Sequence, residues 1–421
     1  MRNSLKTVVG TIAVAGLLAG CASGGSGNEG GTANGTKDKS SGSKVKIEFY
    51  QHKSEAVAIY DKLIADFEAK NPGITVEQNN RPNDPTYLKS RAAANDLPDV
   101  IGIVGSADFT SYVKGGLIKD VSGTPLADTI QVSFQDQLKA YTGTKELYAY
   151  PYSANAQTVL YNKKMFAEAG LKIPTTWDEL IQLCETIQQK GGQPFVFGYK
   201  DSWTTNVPIN QLGGTLIPNE FFDQLAEGKA TFADAWKETL NKSLELNKYG
   251  NKNVVEYGYD QANAEFATGK SYMYIQGIWA IAPVKAKNPD IELGAFPLPA
   301  ANKAEETKII GGIDQILAIS KNSKNVEAAE KFVAFLMEKE NAQTFIQDQK
   351  LLPTIQGVVQ NDPSLSDLQP LLDKGLVGAT VTDRFIPGYN PNDFLQEMMM
   401  KGNVEETLAK MDKEYTKISG R

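Results

Sequence analysis

From residue 44 onward the chain alternates between two rhythms of apolar positions. KVKIEFYQ (44–51) sets β-branched and aromatic residues at alternate positions, the period of a half-buried strand. In SEAVAIYDKLIADFEAKNPG, which follows, Ala58, Leu63 and Phe67 recur at helical spacing, Ser54 suits the N-cap, and Asn71-Pro72-Gly73 supplies the stop. ITVEQN reads as a second strand, YLKSRAAAN as a helix and PDVIGIVG as a third strand. That order belongs to a parallel sheet with crossover helices. Ligands gather outside the carboxyl ends of such strands. Those ends carry Tyr50-Gln51-His52-Lys53, Asn80-Arg81-Pro82-Asn83-Asp84 and Gly105-Ser106-Ala107-Asp108, so polar groups converge there.

A second α/β pattern follows. TVLYNKKMFAEAG is a strand running into a helix, and TTWDELIQLCETIQQKG is a helix capped by Thr175 or Thr176 and stopped at Gly191. PFVFGYKDSW reads as a strand ending in a polar and aromatic loop. FATGKSYMYIQGIWA is a helix end, a turn, and a strand leading to Gly277 and Trp279. IIGGIDQILAIS is an apolar strand interrupted by a glycine pair, where a bend or a close backbone approach is expected. VEAAEKFVAFLMEKENAQTFIQ reads as one amphipathic helix, and the last part of the chain as helical with a loop at DRFIPGYNPNDF.

The first 43 residues follow neither rhythm. Arg2 and Lys6 form a basic start, residues 8–19 are apolar or small, and small residues end the run. A dozen residues fall short of the roughly 20 needed to span a bilayer, and the arrangement is that of a secretory signal peptide over residues 1–20. Its end, Leu18-Ala19-Gly20-Cys21, resembles the lipobox of bacterial lipoproteins. That resemblance implies cleavage before Cys21 and acylation of its thiol and new amino terminus, two lipid signals being what stable anchoring takes. The stretch behind it, ASGGSGNEGGTANGTKDKSSGS, holds no large apolar side chain and reads as a flexible linker over residues 21–43.

Charge and composition narrow the class. The chain is net −7, and loss of Arg2 and Lys6 leaves 41 cations against 50 acids, or −9. An acidic balance opposes a nucleic-acid partner and weakly opposes a phosphorylated ligand. One histidine, His52, leaves no histidine-rich metal site and routes any Ser-His-Asp mechanism through that residue alone. No metal or other cofactor is expected. Cys184, on the apolar face of its helix, reads as an inert core thiol. About 378 residues after the linker are long for one core and point to two lobes.

The body resembles the extracellular solute-binding proteins of ABC importers, in the carbohydrate-binding branch related to maltose-binding protein. FEAKNPGITVE, LPDVIGI, YPYSANAQTVLYNKKMFAEAGL, IPTTWDEL, FATGKSYMYIQGIW, GGIDQILAIS, EAAEKFVAFLMEKENAQTF and LPTIQGV stand in the matching order and cover nearly the whole body. The resemblance implies a two-lobed α/β fold of the type II periplasmic-binding-protein kind, with a ligand cleft between lobes and three hinge crossings. Lobe I is expected at 44–153 and 314–352, and lobe II at 154–313 and 353–421. The crossings are expected near Ser153-Ala154-Asn155, Gly311-Gly312 and Leu352-Pro353.

A neutral sugar needs planar rings against its C–H face and side chains that pair its hydroxyls. The resemblance places a stacking tryptophan at Trp279, after Gln276-Gly277, and cleft-lining loops at Tyr199, Asp201 and Trp203 and at Tyr389. Hydroxyl-binding candidates are Gln51, His52, Arg81, Asp84, Ser106, Asp108, Asn155, Gln276, Gly312 and Asp314. Trp177 and Trp236 read as packing residues. The expected partners are a neutral di- or oligosaccharide and the permease subunits of an importer, with the membrane touched through the lipid alone and the protein monomeric on the outer face of the cytoplasmic membrane. A secreted glycoside hydrolase is the enzymatic alternative. It would need two carboxylates about 5 or 7–9 Å apart, and no stretch resembles a hydrolase motif. A receptor for a phosphorylated polyol, a peptide or a metal is the other, and the aromatic loops favour sugar over these.

Overall fold

The computed structural model describes residues 44–420 apart from Asn83, Ser106, residues 374–376 and Pro387. The described strands, in chain order, are β1 (Val45–Gln51), β2 (Ile74–Asn80), β3 (Val100–Ile103), β4 (Tyr150–Asn162), β5 (Met273–Gly277), β6 (Leu293–Phe296), β7 (Ile309–Ile319), β8 (Leu352–Pro353) and β9 (Val377–Gly378). They join in one sheet of order β2-β1-β3-β7-β4-β5, with β6 and β8 on β4 and β9 on β7. β1, β2 and β3 are parallel, as the alternation of strands and helices predicts. β7 then enters antiparallel to both β3 and β4.

Two apolar cores flank this sheet. The first takes Ile47, Phe49, Tyr60, Phe67 and Phe332 of the opening and closing segments, and it also reaches Phe266, Tyr274 and Ile281. The second gathers Trp177, Leu180, Cys184, Phe232, Trp236, Phe385 and Tyr415. Trp177 and Trp236 are buried packing residues, as expected. β4 sends side chains into both cores and β7 into the first, and β8 lies beside β4 with Ser153 opposite Pro353 and Ala154 opposite Leu352. The three expected crossings are thus neighbours in a single patch of sheet, where β4 breaks register around Ser153.

Local expectations hold unevenly. Thr176 caps its helix by accepting from the Glu179 N–H, but Ser54 begins a 3-10 turn, and the helix Val57–Lys70 has no side-chain cap. Leu63 and Phe67 face the core while Ala58 is exposed. PFVFGYKDSW is not a ladder strand. Its buried N–H groups at Phe195, Phe197 and Tyr199 go to the Tyr249 carbonyl, the Asn251 side chain and the Val254 carbonyl, all in a loop, leaving one bridge from Phe195 to Met273. The single helix expected after Asn325 is two, Val326–Met337 and Lys339–Gln349, parted at Glu338, whose ψ of 136° is extended. The Asn341 amide takes the freed Phe335 carbonyl at 2.7 Å.

Candidate functional site

Antiparallel partners share a face of the sheet. Where β4 meets β7, Asn155 lies opposite Gly312, and where β4 meets β5, Gln157 lies opposite Gly277. Asp314 and Ser153 continue that face, with the Ser153 hydroxyl donating to Asp314 Oδ2 at 3.1 Å. This polar floor lies between apolar stretches of β4 and β7. Polar side chains at every second position of SANAQ are the sequence signal for it.

Two glycines keep parts of the floor flat. A Cβ at Gly277 would stand 2.0 Å from the Trp279 ring, and one at Gly312 would stand 2.7 Å from Gln137 Nε2. Gly311 answers a different need, since its Cβ would fall 2.2 Å from the Asn155 carbonyl oxygen. Gly311 therefore marks close backbone approach, as the interrupted apolar strand suggests, and Gly312 leaves room for side chains.

Asp314 is the electrostatic centre. It is 4% exposed and accepts from Lys53 Nζ at 2.6 Å and from the Asn155 amide at 3.2 Å, besides Ser153. Burial pushes its carboxyl pKa up, but the charge and hydrogen bond of Lys53 outweigh this and hold it below the usual carboxylate value. Burial likewise pulls the Lys53 ammonium down, and Asp314 more than restores it. Glu55 stands 3.7 Å from the same ammonium. Asp314 is thus engaged by three protein donors. It fixes the Asn155 amide nitrogen and so sets the orientation of that side chain.

The other candidates divide. Gln51 is buried, bonded to Gln78 and to the Lys53 N–H, and anchors the turn that carries Lys53. His52 Nδ1 sits 3.4 Å from the Gly102 carbonyl, and burial followed by the Lys53 charge lowers its pKa. Arg81 is exposed and lies 4.8 Å over the Tyr87 ring, which stacks on Tyr50. Asp84 caps the helix Pro85–Ala93 through the Tyr87 N–H, and Asp201 accepts from the Tyr259 N–H at 2.7 Å, so both carboxylates have structural work. Asp108 is half exposed in an ion pair with Lys89 at 3.2 Å. Trp203 and Trp279 each touch both cores and keep part of their surface open. Tyr199 and Tyr389 are buried among aromatic neighbours. Tyr199 stacks on Phe197, and Tyr389 packs among Phe232, Phe385 and Tyr415. Gln276 alternates away from Gly277 and is buried beside the Tyr274 hydroxyl. Ser106 and Cys21 lie outside the described residues.

Several groups at this site escaped sequence reading. Gln157 is one: its Oε1, like Nε1 of the expected Trp279, is buried and finds no hydrogen-bond partner among the described residues. Gln137 donates to the Tyr141 hydroxyl at 2.9 Å, and Tyr141 donates to Asp383 Oδ2 at 3.3 Å. Burial raises the Asp383 pKa to about 6. A surface concavity of about 450 Å3 lined by Asn247, Val255 and Met400 shares no residue with the floor.

Amide oxygens, an indole N–H and an indole face, around an ion pair that neutralises itself, suit an uncharged polyhydroxylated ligand.

Residues 52–343 match the family model of the bacterial extracellular solute-binding proteins. A multiple sugar-binding protein of Streptococcus mutans is 31% identical over 337 residues, covering 78% of this chain and 79% of that one. A melibiose/raffinose/stachyose-binding protein of Bacillus subtilis is 26% identical and covers 67% of each. Among solved structures, a solute-binding protein in complex with raffinose superposes with a TM-score of 0.78 at 24% identity, covering 89% of this chain and all of that one. A Bacillus licheniformis sugar transporter protein in complex with stachyose gives 0.76 at 22% identity, again over 89% of this chain and all of the other. These likenesses show the fold, which is the two-lobed type II arrangement with its cleft between lobes.

Proposed function

The chain belongs to the bacterial extracellular solute-binding proteins, and we propose that its ligand is a neutral di- or oligosaccharide held between the lobes. One observation carries this reading: on the floor joining the two cores, Gln157 Oε1 and the Trp279 indole N–H are buried and unpaired beside Asn155. Unpaired buried polar groups are costly, and sugar hydroxyls supply both the donor and the acceptor they need. Trp279 adds a ring against the sugar's C–H face. Relatives named for melibiose, raffinose, stachyose and multiple sugars support the same class.

In this reading the lobes close on the sugar by rotation about the crossings at Ser153–Asn155, Gly311-Gly312 and Leu352-Pro353. The closed form docks on the permease subunits of an importer. Residues 44–153 and 314–352 move as one lobe against 154–313 and 353–421. Acylated Cys21 and the linker hold the monomer at the outer face of the membrane.

The test is a thermal-shift screen, followed by calorimetry, over neutral mono- and oligosaccharides, with raffinose and stachyose among them and sugar phosphates as the contrast. A sugar at 100 times its dissociation constant stabilises the protein by about 2.7 kcal/mol. Stabilisation by sugar phosphates alone would overturn the neutral-sugar assignment. Release of shorter sugars on incubation would favour the hydrolase instead.

A further inference from the structure

A hydrogen bond beside the Gly311-Gly312 crossing links a helix packed on the first core to a segment of the second. Tyr141, on the helix Val132–Thr142, packs against the first core. Asp383 lies between Val381 and Phe385, both in the second core, and its segment is tied there by Asn210, which accepts from the Thr382 N–H. The Tyr141 hydroxyl donates to Asp383 Oδ2 at 3.3 Å, steadied from behind by Gln137 at 2.9 Å. Both Gln137 and Tyr141 stand over Gly312, so this contact borders the floor.

We infer that the Tyr141–Asp383 hydrogen bond is an interlobe latch, a positioning pair that sets the balance between open and closed forms before any sugar binds. This rests on the closure proposed above and adds a control to it. Tyr141 falls in the proposed lobe I and Asp383 in lobe II, so opening parts them and exposes the partly buried Asp383 carboxyl further.

The latch carries a pH dependence whose sign follows from its surroundings. Thr380 bonds Asp383 from its own segment and Tyr141 from the opposite helix. The neighbouring cations are engaged elsewhere: Arg384 holds Asn219 and lies over Phe222, and Lys308 runs along Gly378. Burial therefore dominates and raises the pKa from 3.8 to about 6. Between those values the closed form binds a proton that the open form lacks, so acid favours closure. By linkage the closed-to-open ratio is about tenfold higher at pH 5 than at pH 7.5, and the effect levels off above the closed-form pKa.

Small-angle scattering of the sugar-free protein at pH 5 and pH 7.5 tests this. The wild type should become more compact at pH 5. Asp383→Asn, a neutral isostere of the protonated acid, should be compact at both values. Tyr141→Phe, which keeps the ring and loses only the hydroxyl, should be more open at both. His52 is a second titratable group, its pKa lowered by burial, and Asp383→Asn separates the two, since it leaves His52 in place. A wild type with one radius of gyration at both pH values, or a Tyr141→Phe profile that overlays the wild type, would overturn the latch. If Asp383→Asn does not fold, Tyr141→Phe decides alone. A parallel series with saturating stachyose or raffinose separates the two readings: compaction by sugar together with a null result for Tyr141→Phe removes the latch and leaves sugar closure standing.

Discussion

At Trp279 the side chain touches both cores, keeps part of its ring open and leaves its indole N–H unpaired. Truncation to alanine removes a ring platform and a donor together. We expect Trp279→Ala to weaken sugar binding by at least about 2 kcal/mol, about thirtyfold, measured by calorimetry. A urea melt should show a smaller loss of stability. A mutant that bound sugar normally yet melted early would make the ring a packing residue. Lys53 and Asp314 give a sharper test, because each is almost fully buried. Lys53→Met strands a carboxylate and should cost about 3–5 kcal/mol. With its cation gone, we expect burial to outweigh the hydrogen bonds from Ser153 and Asn155 and raise the Asp314 pKa. A carboxyl whose folded pKa is raised loses stability as pH rises, so the deficit should be smaller in urea melts at pH 5 than at pH 8. An equal deficit at both would show that Asp314 is not buried as charge. Asp314 itself was visible in the sequence, as an acid after a glycine pair in an apolar strand. Its partner was not, because 261 residues separate Lys53 from Asp314.

The crossing strands show what an element can reveal by itself. The Ser-Ala-Asn-Ala-Gln alternation marks one polar face of β4, and Gly311 of the glycine pair marks close approach on β7. Gly311→Ala would press a methyl to 2.2 Å from the Asn155 carbonyl. Backbone offers no rotamer to swing aside, so we expect a loss at the upper end of the roughly 1–3 kcal/mol typical of overpacking. Scattering should also show altered closure, since the strain falls on a crossing. Gly312→Ala meets only Gln137 and Tyr141 side chains and should cost less in the same denaturant melt. Equal costs would mean the strands part easily. Period and punctuation placed β1, β2, β3 and β7 correctly because each strand's own pattern is distinctive. PFVFGYKDSW misled because a continuous apolar run reads the same whether its N–H groups meet a strand or a loop.

For the molecule as a whole, sugar should reduce the radius of gyration at saturating concentration, as rigid lobes rotating about short crossings do. An unchanged profile with binding intact would remove the clamp. The anchor is tested separately: Cys21→Ser should abolish palmitate labelling and release the protein from washed membranes. Retention and labelling together would end the lipid reading. Sequence by itself determined the order of the elements, the parallel first half of the sheet, the acidic and histidine-poor character, and the family through its motifs. All of these are carried by neighbours along the chain or by simple counts. Tertiary structure alone decided which polar groups are free. It spent Asp84 and Asp201 on helix termini, buried Tyr199 and Tyr389, and paired Asp314 with Lys53. It also brought Tyr141 to Asp383 across 242 residues. A polar side chain's role depends on what burial and partners leave unsatisfied, and those partners come from segments that meet only when the chain is folded.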